Sequence, residues 1–569
     1  MSITSWAQRH LWSRRFVTAF RLLSAGQFLL LFNRLRLFIL NRLIRKKPPK
    51  YSEWRNKWVK VNQLERIQVL KTIEELPDKP LFTFLISFKE KSPELLEKTL
   101  KSLVNQLYVN WKVEVLALDS QDHSLISSVN NFDDNRVSIS KSESEIGKGW
   151  VCKIDPGVIL HEAALFTVTS SIRKNQEALI IYSDHDHISE TNCFIDPYMK
   201  PDLNPDLLKG TNYLAPFVIF KDTIWEKYSD YHSNLHDLSI AATNNLSSKK
   251  VIHLPHVLAS IQVGRDRSYL LPEMREIEFP VPEPLPLVSI LIPTKNQGHL
   301  LESCLNSLVN ETSYPNFEVI VIDHESTEEK AKKVIENFDI MPNSYVLPFT
   351  GQFNFSAMMN HASSVASGEI LVLLNNDTEI IESNWLTEMV RQVTRPEVGV
   401  VGALLFFANG NIQHAGVTPG VDAFMGHSHK NWSGKSAGYF GRLRVAHDVA
   451  AVTGACLAIK VSTWNSFGGL DENLAVAYND IDLCMRARKA GLKVIIAPKA
   501  KLTHHESISR GFDDKPEEKE RLIKELEIMK DKWGDSIFED IAYSTNLSLE
   551  GKTFVLSETP RVTPPWQIN

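Results

Sequence analysis

Two long stretches of the chain repeat one hydrophobic pattern. An apolar run of strand length, LFTFLISF from Leu81, is followed by an amphipathic stretch through Leu103 and by KVEVLALD, ending at Asp119. The same order returns as LVSILIPT from Leu287, an amphipathic stretch through Leu308, and FEVIVIDHES, whose strand closes at Asp323. Laid side by side, EKTLKSLVNQLYVNWKVEVLALDS and LESCLNSLVNETSYPNFEVIVIDHES share an apolar helix face, a short aromatic-containing turn and a strand closed by aspartate. Continuous apolar runs are what strands covered on both faces require. Strand–helix–strand repeats predict mostly parallel sheets flanked by helices. The pattern therefore predicts an internal duplication, two α/β domains of Rossmann-like type in tandem.

Punctuation sets the boundaries. The proline-rich PVPEPLP, residues 280–286, reads as a linker between a first domain at 80–279 and a second at 287–512. A charged helix from Lys515 to Trp533, ended by Gly534, opens a C-terminal region at 513–569. Residues 1–79 form a separate N-terminal region. From Met1 to Ser52 there is no acidic residue, while Arg14, Arg15, Arg21, Arg34, Arg36, Arg42, Arg45, Lys46 and Lys47 are all basic. The uninterrupted apolar run there, Phe28–Phe32, is far short of the ~20 residues that span a bilayer. Basic residues among leucines and phenylalanines at near-helical spacing predict an amphipathic helix. Such a helix can lie on an anionic membrane surface through residues 14–47, or pack on protein.

Composition narrows the class. A 569-residue chain holds two or three cores, and 43% hydrophobic with 23% charged residues excludes disordered and membrane-embedded classes. A net charge of −5 gives no reason to expect nucleic acid as a partner. The five cysteines show no CxxC pair, which suits a reducing, cytoplasmic setting and argues against a zinc or disulfide scaffold.

Ligands of parallel α/β sheets bind beyond the C-terminal strand ends. Asp323 closes one strand, where a carboxylate can accept hydrogen bonds from a ribose or cap the following turn. Asn375-Asn376-Asp377-Thr378-Glu379 follows EILVLL, and an acid there can hold Mg²⁺ or Mn²⁺, or merely turn the chain. Tyr478-Asn479-Asp480-Ile481-Asp482 opens a helix, so Asp480 is a candidate general base or an N-cap. His504-His505 ends an extended run, and neighbours in a strand point to opposite sides, so one of the pair at most reaches a metal.

The order of these blocks carries more than any one of them. LVSILIPTKN, FNFSAMMNHA, LLNNDTEI, HAGVTPG…GYFGRL, AVTGACLAIK, FGGLDE, NDIDLCMRARKAG and HHESISRG succeed one another as in the inverting family-2 glycosyltransferases of the GT-A fold, which the chain resembles. Within that family it resembles bacterial tandem-domain enzymes of O-antigen, rhamnan and related cell-surface polysaccharide synthesis. The resemblance implies a nucleotide-sugar donor, a glycan or lipid-linked acceptor, and a peripheral place on the inner face of the plasma membrane. It implies that Pro293, Thr294, Asp323, Asn360 and Asn376 bind the donor nucleotide. Asp377 and His504 would ligate Mg²⁺ or Mn²⁺, and Asp480 would be the base. Asn375, Gly454, Ala455, Cys456, Asn479, Asp482 and His505 would line the substrate cleft. One departure is Asn375, which stands where the family's metal motif opens with an acid.

The first domain keeps YSDHDHI and PYMKPDLNPDLL but has CKIDPGVIL and NLHDLSIAA where the catalytic motifs belong, leaving Asp155 and Asp237. It reads as a degenerate GT-A-like domain that docks or positions an acceptor. Asp184-His185-Asp186-His187 could hold a metal, but reads rather as a strand-end loop kept for structure or acceptor contact. The rival readings are a non-catalytic scaffold, a transferase active in both domains, and a sugar nucleotidyltransferase, which LIPTKNQGHL disfavours because it lacks a glycine- and arginine-rich loop.

Overall fold

A computed structural model describes residues 48–87, 93–116, 129, 132, 134–140, 149–264, 273–340, 342–421, 424–505 and 516–567. The basic stretch 14–47, Asp119 and the ESISRG segment after His505 lie outside the described residues. No helix among the described residues is long and apolar enough to cross a membrane.

The duplication expected from the hydrophobic pattern is present strand for strand. The first sheet is built from β1 (Phe82–Ser87), β2 (Trp111–Leu116), β3 (Val137–Ser140), β4 (Trp150–Ile154), β5 (Val158–Leu160), β6 (Ile180–Ile188), β7 (Phe194–Tyr198), β8 (Val218–Lys221) and β9 (Val251–Gln262). Its order is β3-β2-β1-β4-β8-β6-β9-β5, with β7 on β6. The second comprises β10 (Val288–Thr294), β11 (Phe317–Asp323), β12 (Ser344–Pro348), β13 (Ile370–Leu374), β14 (Thr378–Ile380), β15 (Val398–Phe406), β16 (Ile412–His414), β19 (His447–Asp448), β20 (Cys456–Lys460) and β21 (Lys493–His504), with a separate hairpin of β17 (Val417–Pro419) and β18 (Met425–His427). Its order, β12-β11-β10-β13-β20-β15-β21-β14, repeats the first. In both sheets the four leading strands run parallel, the fifth (β8 or β20) is antiparallel to both neighbours, and the next pair is parallel again. The α/β class with tandem Rossmann-like sheets is what the sequence led one to expect.

Each sheet is covered on both faces. Alternate residues of β10, Val288, Ile290 and Ile292, pack with Leu301 and Leu305 of the helix Gly298–Glu311, while Leu291 faces Met358 and Met359 of the helix Phe355–Val365. All five residues of β13, ILVLL, are buried, which is why that strand shows no polar alternation.

The two sheets share an interface made by the KPDLNPDLL run. Asp206 is buried between Arg395 (2.7 Å) and Lys493 (3.0 Å) of the second domain, and Asn204 exchanges hydrogen bonds with the backbone of Asp448. Lys200 is fully buried and donates to the carbonyls of Leu214 and Ala215, and burial pushes its ammonium down to about 7. DHDH does not form a strand-end loop, as the sequence reading had it, because it lies inside β6, wholly buried. Its carboxylates are consumed there: Asp184 by the Lys200 N–H, His253 and Asn546, and Asp186 by Tyr51, Arg55 and Ser260.

The flanking regions belong to the same body. Val69 and Ile73 of the helix Gln63–Glu74 enter the first sheet's core, although the sequence placed residues up to 79 in a separate region. After the helix Pro516–Trp533 the tail runs back over the first domain, where Asn546 bonds Asp184 and Trp566 joins the core.

Candidate active site

The turns after β10 and β11 are clamped together. Asn296 takes a left-handed φ of +56° and accepts from the N–H groups of Thr327 (2.7 Å) and Glu328 (3.0 Å), while its own N–H donates to Ser326 Oγ (2.8 Å). Thr294 and Asp323 sit side by side in register at the ends of these two strands. Asp323 Oδ1 accepts from the Ser326 N–H at 3.1 Å, so that carboxylate also closes its turn. Asn376, beyond β13, donates to Thr294 Oγ1 at 2.9 Å. Pro293, Thr294, Asp323 and Asn376 therefore meet at the C-terminal edge of three adjacent parallel strands. Asn360 does not join them. Its amide bonds Leu470 N and O and Glu472 Oε1, which staples the helix Phe355–Val365 to the FGGLDE turn.

Two residues past Asn376 the chain enters β14, which pairs with β21 so that Thr378 faces His504. That register brings Asp377 Oδ1 to 3.1 Å from His504 Nε2. Gln413 fixes the imidazole: its Nε2 donates to the His504 carbonyl (3.1 Å), which leaves its Oε1 to accept from Nδ1–H (2.8 Å). With the proton on Nδ1, the lone pair of Nε2 faces the Asp377 carboxylate. Two electron-pair donors turned toward each other are the arrangement a cation would satisfy, and an outer-shell partner that sets the tautomer is usual for histidine ligands. Asn375 Nδ2 lies 3.3 Å from the same nitrogen. His505 points elsewhere, to Glu379 at 3.3 Å, as alternation along the strand requires. Among the described residues no three or more His, Cys, Asp or Glu side chains gather as a metal cage, so this is a two-ligand pair.

Asp480 stands at the start of the helix Asn479–Lys489, entered through Tyr478 in a left-handed conformation (φ +64°). Its Oδ2 accepts from Gly454 N–H and its Oδ1 from Ile481 N–H, both at 2.8 Å. Burial raises its pKa above the usual carboxylate range, against those two bonds. The next residue, Ala455, accepts from the Asn375 N–H at 3.0 Å. Two consecutive residues, Gly454 and Ala455, thus tie the candidate base to the turn that carries Asp377. Thr453 N–H in turn contacts His414 Nε2 (3.3 Å), and His414 is bonded to His427 across the β17–β18 region (Nδ1···Nδ1 2.7 Å).

Three expected cleft residues are held by structure instead. Cys456 is fully buried in the apolar core with Cys304. Asn479 donates to the carbonyls of Leu474 and Val476. Asp482 is buried beneath Arg486, Lys532 and Trp533, the last two from the C-terminal helix. That helix also supplies Glu525, which accepts from Val476 N–H (3.1 Å) and Ala477 N–H (2.8 Å) just before Asp480. Gln413 and Glu525 carry no motif, and His414 and His427 lie in the HAGVTPG…GYFGRL loop without a role the sequence assigned.

The sequence signature of the family described as "Glycosyl transferase family 2" matches residues 289–462. An uncharacterized protein of Sinorhizobium fredii is 33% identical over 90% of this chain and 62% of its own length. The O-antigen biosynthesis protein RfbC of Myxococcus xanthus is 28% identical over 83% of this chain and 41% of its own length. The chain therefore spans less than two thirds of either of these relatives. The N-acetylglucosaminyl-diphospho-decaprenol L-rhamnosyltransferase of Mycobacterium tuberculosis is 25% identical over 40% of this chain and 78% of its own length. Thr294, Asp323 and the Asn375–Asp377 turn fall within the matched residues, with Asp480 and His504 a short way beyond, and the chain carries a domain of glycosyl transferase family 2.

Proposed function

We propose that the second domain transfers a sugar from a nucleoside-diphosphate sugar to a hydroxyl of a glycan or lipid-linked saccharide, inverting the anomeric centre, in the synthesis of a cell-surface polysaccharide. The observation that carries this reading is the short path joining Asp480, through Gly454 and Ala455, to the turn holding Asp377 opposite His504. A base and a cation-holding pair linked this closely suit a single displacement. The names of the O-antigen and rhamnosyltransferase relatives support the polysaccharide setting.

Each residue then has a task. Thr294, Asn376 and Asp323 offer polar groups at the strand ends for the nucleoside. Asp377 and His504 would hold Mg²⁺ or Mn²⁺, two protein ligands being enough where substrate phosphates complete the shell. The cation would neutralise charge on the departing nucleoside diphosphate. Asp480 accepts the proton of the attacking acceptor hydroxyl. Its raised pKa strengthens it as a base, and the N–H groups of Gly454 and Ile481 keep the carboxylate from turning away.

Nucleoside-diphosphate release from a panel of UDP-, GDP- and dTDP-sugars, with a membrane-lipid extract as acceptor, tests the reading. Release with one donor is expected, dependent on Mg²⁺ or Mn²⁺ and lost in Asp377→Ala, with the product anomer inverted by NMR. Metal-independent release, or retention of the anomer, contradicts it. A scaffold in place of an enzyme would bind no donor in calorimetry. The basic stretch 14–47 is proposed to hold the protein at an anionic membrane surface. Deleting the residues before Pro48 is expected to release it from membranes, and continued binding would contradict that attachment.

A further inference from the structure

Because the first domain repeats the strand order of the second, the donor pocket has a counterpart there, and it is open. A cleft of about 1130 Å³ lies beyond the C-terminal end of β4, walled by Asp155, His185, Tyr198, Asn212, Tyr213 and Phe440. Register shows what has been lost from it. Asp377 is the third residue after β13, and the third after β4 is Gly157. β14 sets Thr378 opposite His504, whereas β5 sets Val158 opposite Ile261. The carboxylate–imidazole pair is thus replaced by a glycine and an isoleucine. The cations on the cleft wall are engaged: Arg275 pairs with Asp237, and Lys153 Nζ donates to the His232 carbonyl at 2.6 Å. A diphosphate has little to hold it here.

What remains is polar, aromatic and incompletely satisfied. His185 is 6% exposed, and among the described residues its Nδ1 has no hydrogen-bond partner. The buried Oδ1 of Asn212 lacks one too. Leaving such an atom unpaired forfeits its hydration with nothing in return, so buried orphans on a cleft wall point to a ligand that completes them. Phe440 comes from the catalytic domain, held at φ +48° in a region bulky residues avoid, and stacks on Tyr198 with ring centroids 3.7 Å apart. A sugar ring presents C–H faces to aromatic groups and hydroxyls to imidazole, amide and carboxylate groups, which is the set displayed.

We propose that this cleft is a second carbohydrate-binding site that takes an uncharged oligosaccharide stretch of the acceptor, binds it without metal or nucleotide, and transfers nothing. Only the word acceptor rests on the transferase reading.

The full chain is probed on an array of neutral oligosaccharides of increasing length, in EDTA and without nucleotide sugar. Wild-type protein is expected to bind at least one series, and Asp377→Ala to bind it equally well. Asp155→Ala and Asn212→Ala are expected to weaken binding about tenfold or more. Asn212→Ala, which removes an unpaired acceptor, should do so with its melting temperature unchanged or raised. No binding anywhere on the array overturns the proposal. So does binding that needs metal or vanishes in Asp377→Ala, which would place the sugar in the catalytic pocket. Because binding is read with no donor present, failure here leaves the transfer assay standing, and failure of transfer leaves this result standing.

Discussion

The chemistry of the site turns on how few groups fix each ligand atom. Gln413 holds His504 by both its backbone carbonyl and its Nδ1, so Gln413→Ala should free the ring while leaving both proposed ligands in place. Removing such an outer-shell partner typically costs 10–100-fold in metal affinity. The Mn²⁺ concentration for half-maximal nucleotide release is expected to rise by about that factor, and an unchanged value would deny Gln413 the role. A second consequence concerns protons far from the site. Burial pushes His256 and His447 down to about 4 and His161 to about 3, against about 6.5 in an unfolded chain. The unfolded chain therefore binds more protons between those values. The stability from burying these rings neutral is full above pH 6.5 and lost as pH falls through their folded values. His253 acts the other way: burial opposes its charge, but Asp184 and Asp202 raise it to about 9, so its contribution fades as pH rises from 6.5 through 9. Melting temperature should peak near neutrality and fall more steeply on the acid side, where several rings buried neutral, His427 among them, titrate against the charged His253. A plateau down to pH 5 would contradict this. Asp377, Asp480 and His504 were legible because motif order marks them. Gln413 was not, since its role depends on β16 lying beside β21 and no spacing reports that.

At the scale of elements, the hydrophobic pattern was the reliable guide. Apolar runs at β1, β10, β11 and β13 stand where strands stand, because strands covered on both faces tolerate little polar alternation, whereas β2 alternates with a half-buried Lys112–Glu114 pair. The pattern failed for elements whose function is to hold others. The charged helix Pro516–Trp533 shows little apolar periodicity, yet its buried Glu525 grips Val476 and Ala477, and its Lys532 and Trp533 cover Asp482. It acts as a brace on the loop that delivers Asp480. Glu525→Gln keeps the shape but removes one charged acceptor, and Ala477 N–H then loses its short bond. The expected result is a fall in kcat of several-fold with KM for the donor little changed, since the proposed donor contacts lie on β10, β11 and β13. An equal change in KM would mean that the helix serves the donor pocket instead. Expected cleft residues Cys456, Asn479 and Asp482 prove to be core and brace residues for a related reason: nearness in sequence to an active residue does not decide which way a side chain points.

Among the described residues the architecture is duplicated, and the proposed chemistry is assigned to the second domain. Both sheets keep one strand order, and Asp206, clasped by Arg395 and Lys493, locks them together. The duplication and the loss of first-domain motifs were legible in sequence. The tail that crosses back to Asp184, and Phe440 reaching from one domain into the other's cleft, were not, because such contacts join residues hundreds of positions apart. The central claim is that transfer belongs to the second domain alone, with Asp480 as its base. The measurement that tests it most directly is acceptor-dependent nucleoside-diphosphate release by wild-type protein, Asp480→Asn and Asp237→Asn, each checked for an unchanged melting temperature. A general base contributes about 10²–10⁴-fold, so Asp480→Asn is expected to lose at least a hundredfold in rate while Asp237→Asn keeps the wild-type rate. Full release from Asp480→Asn, or its loss in Asp237→Asn, would contradict the account.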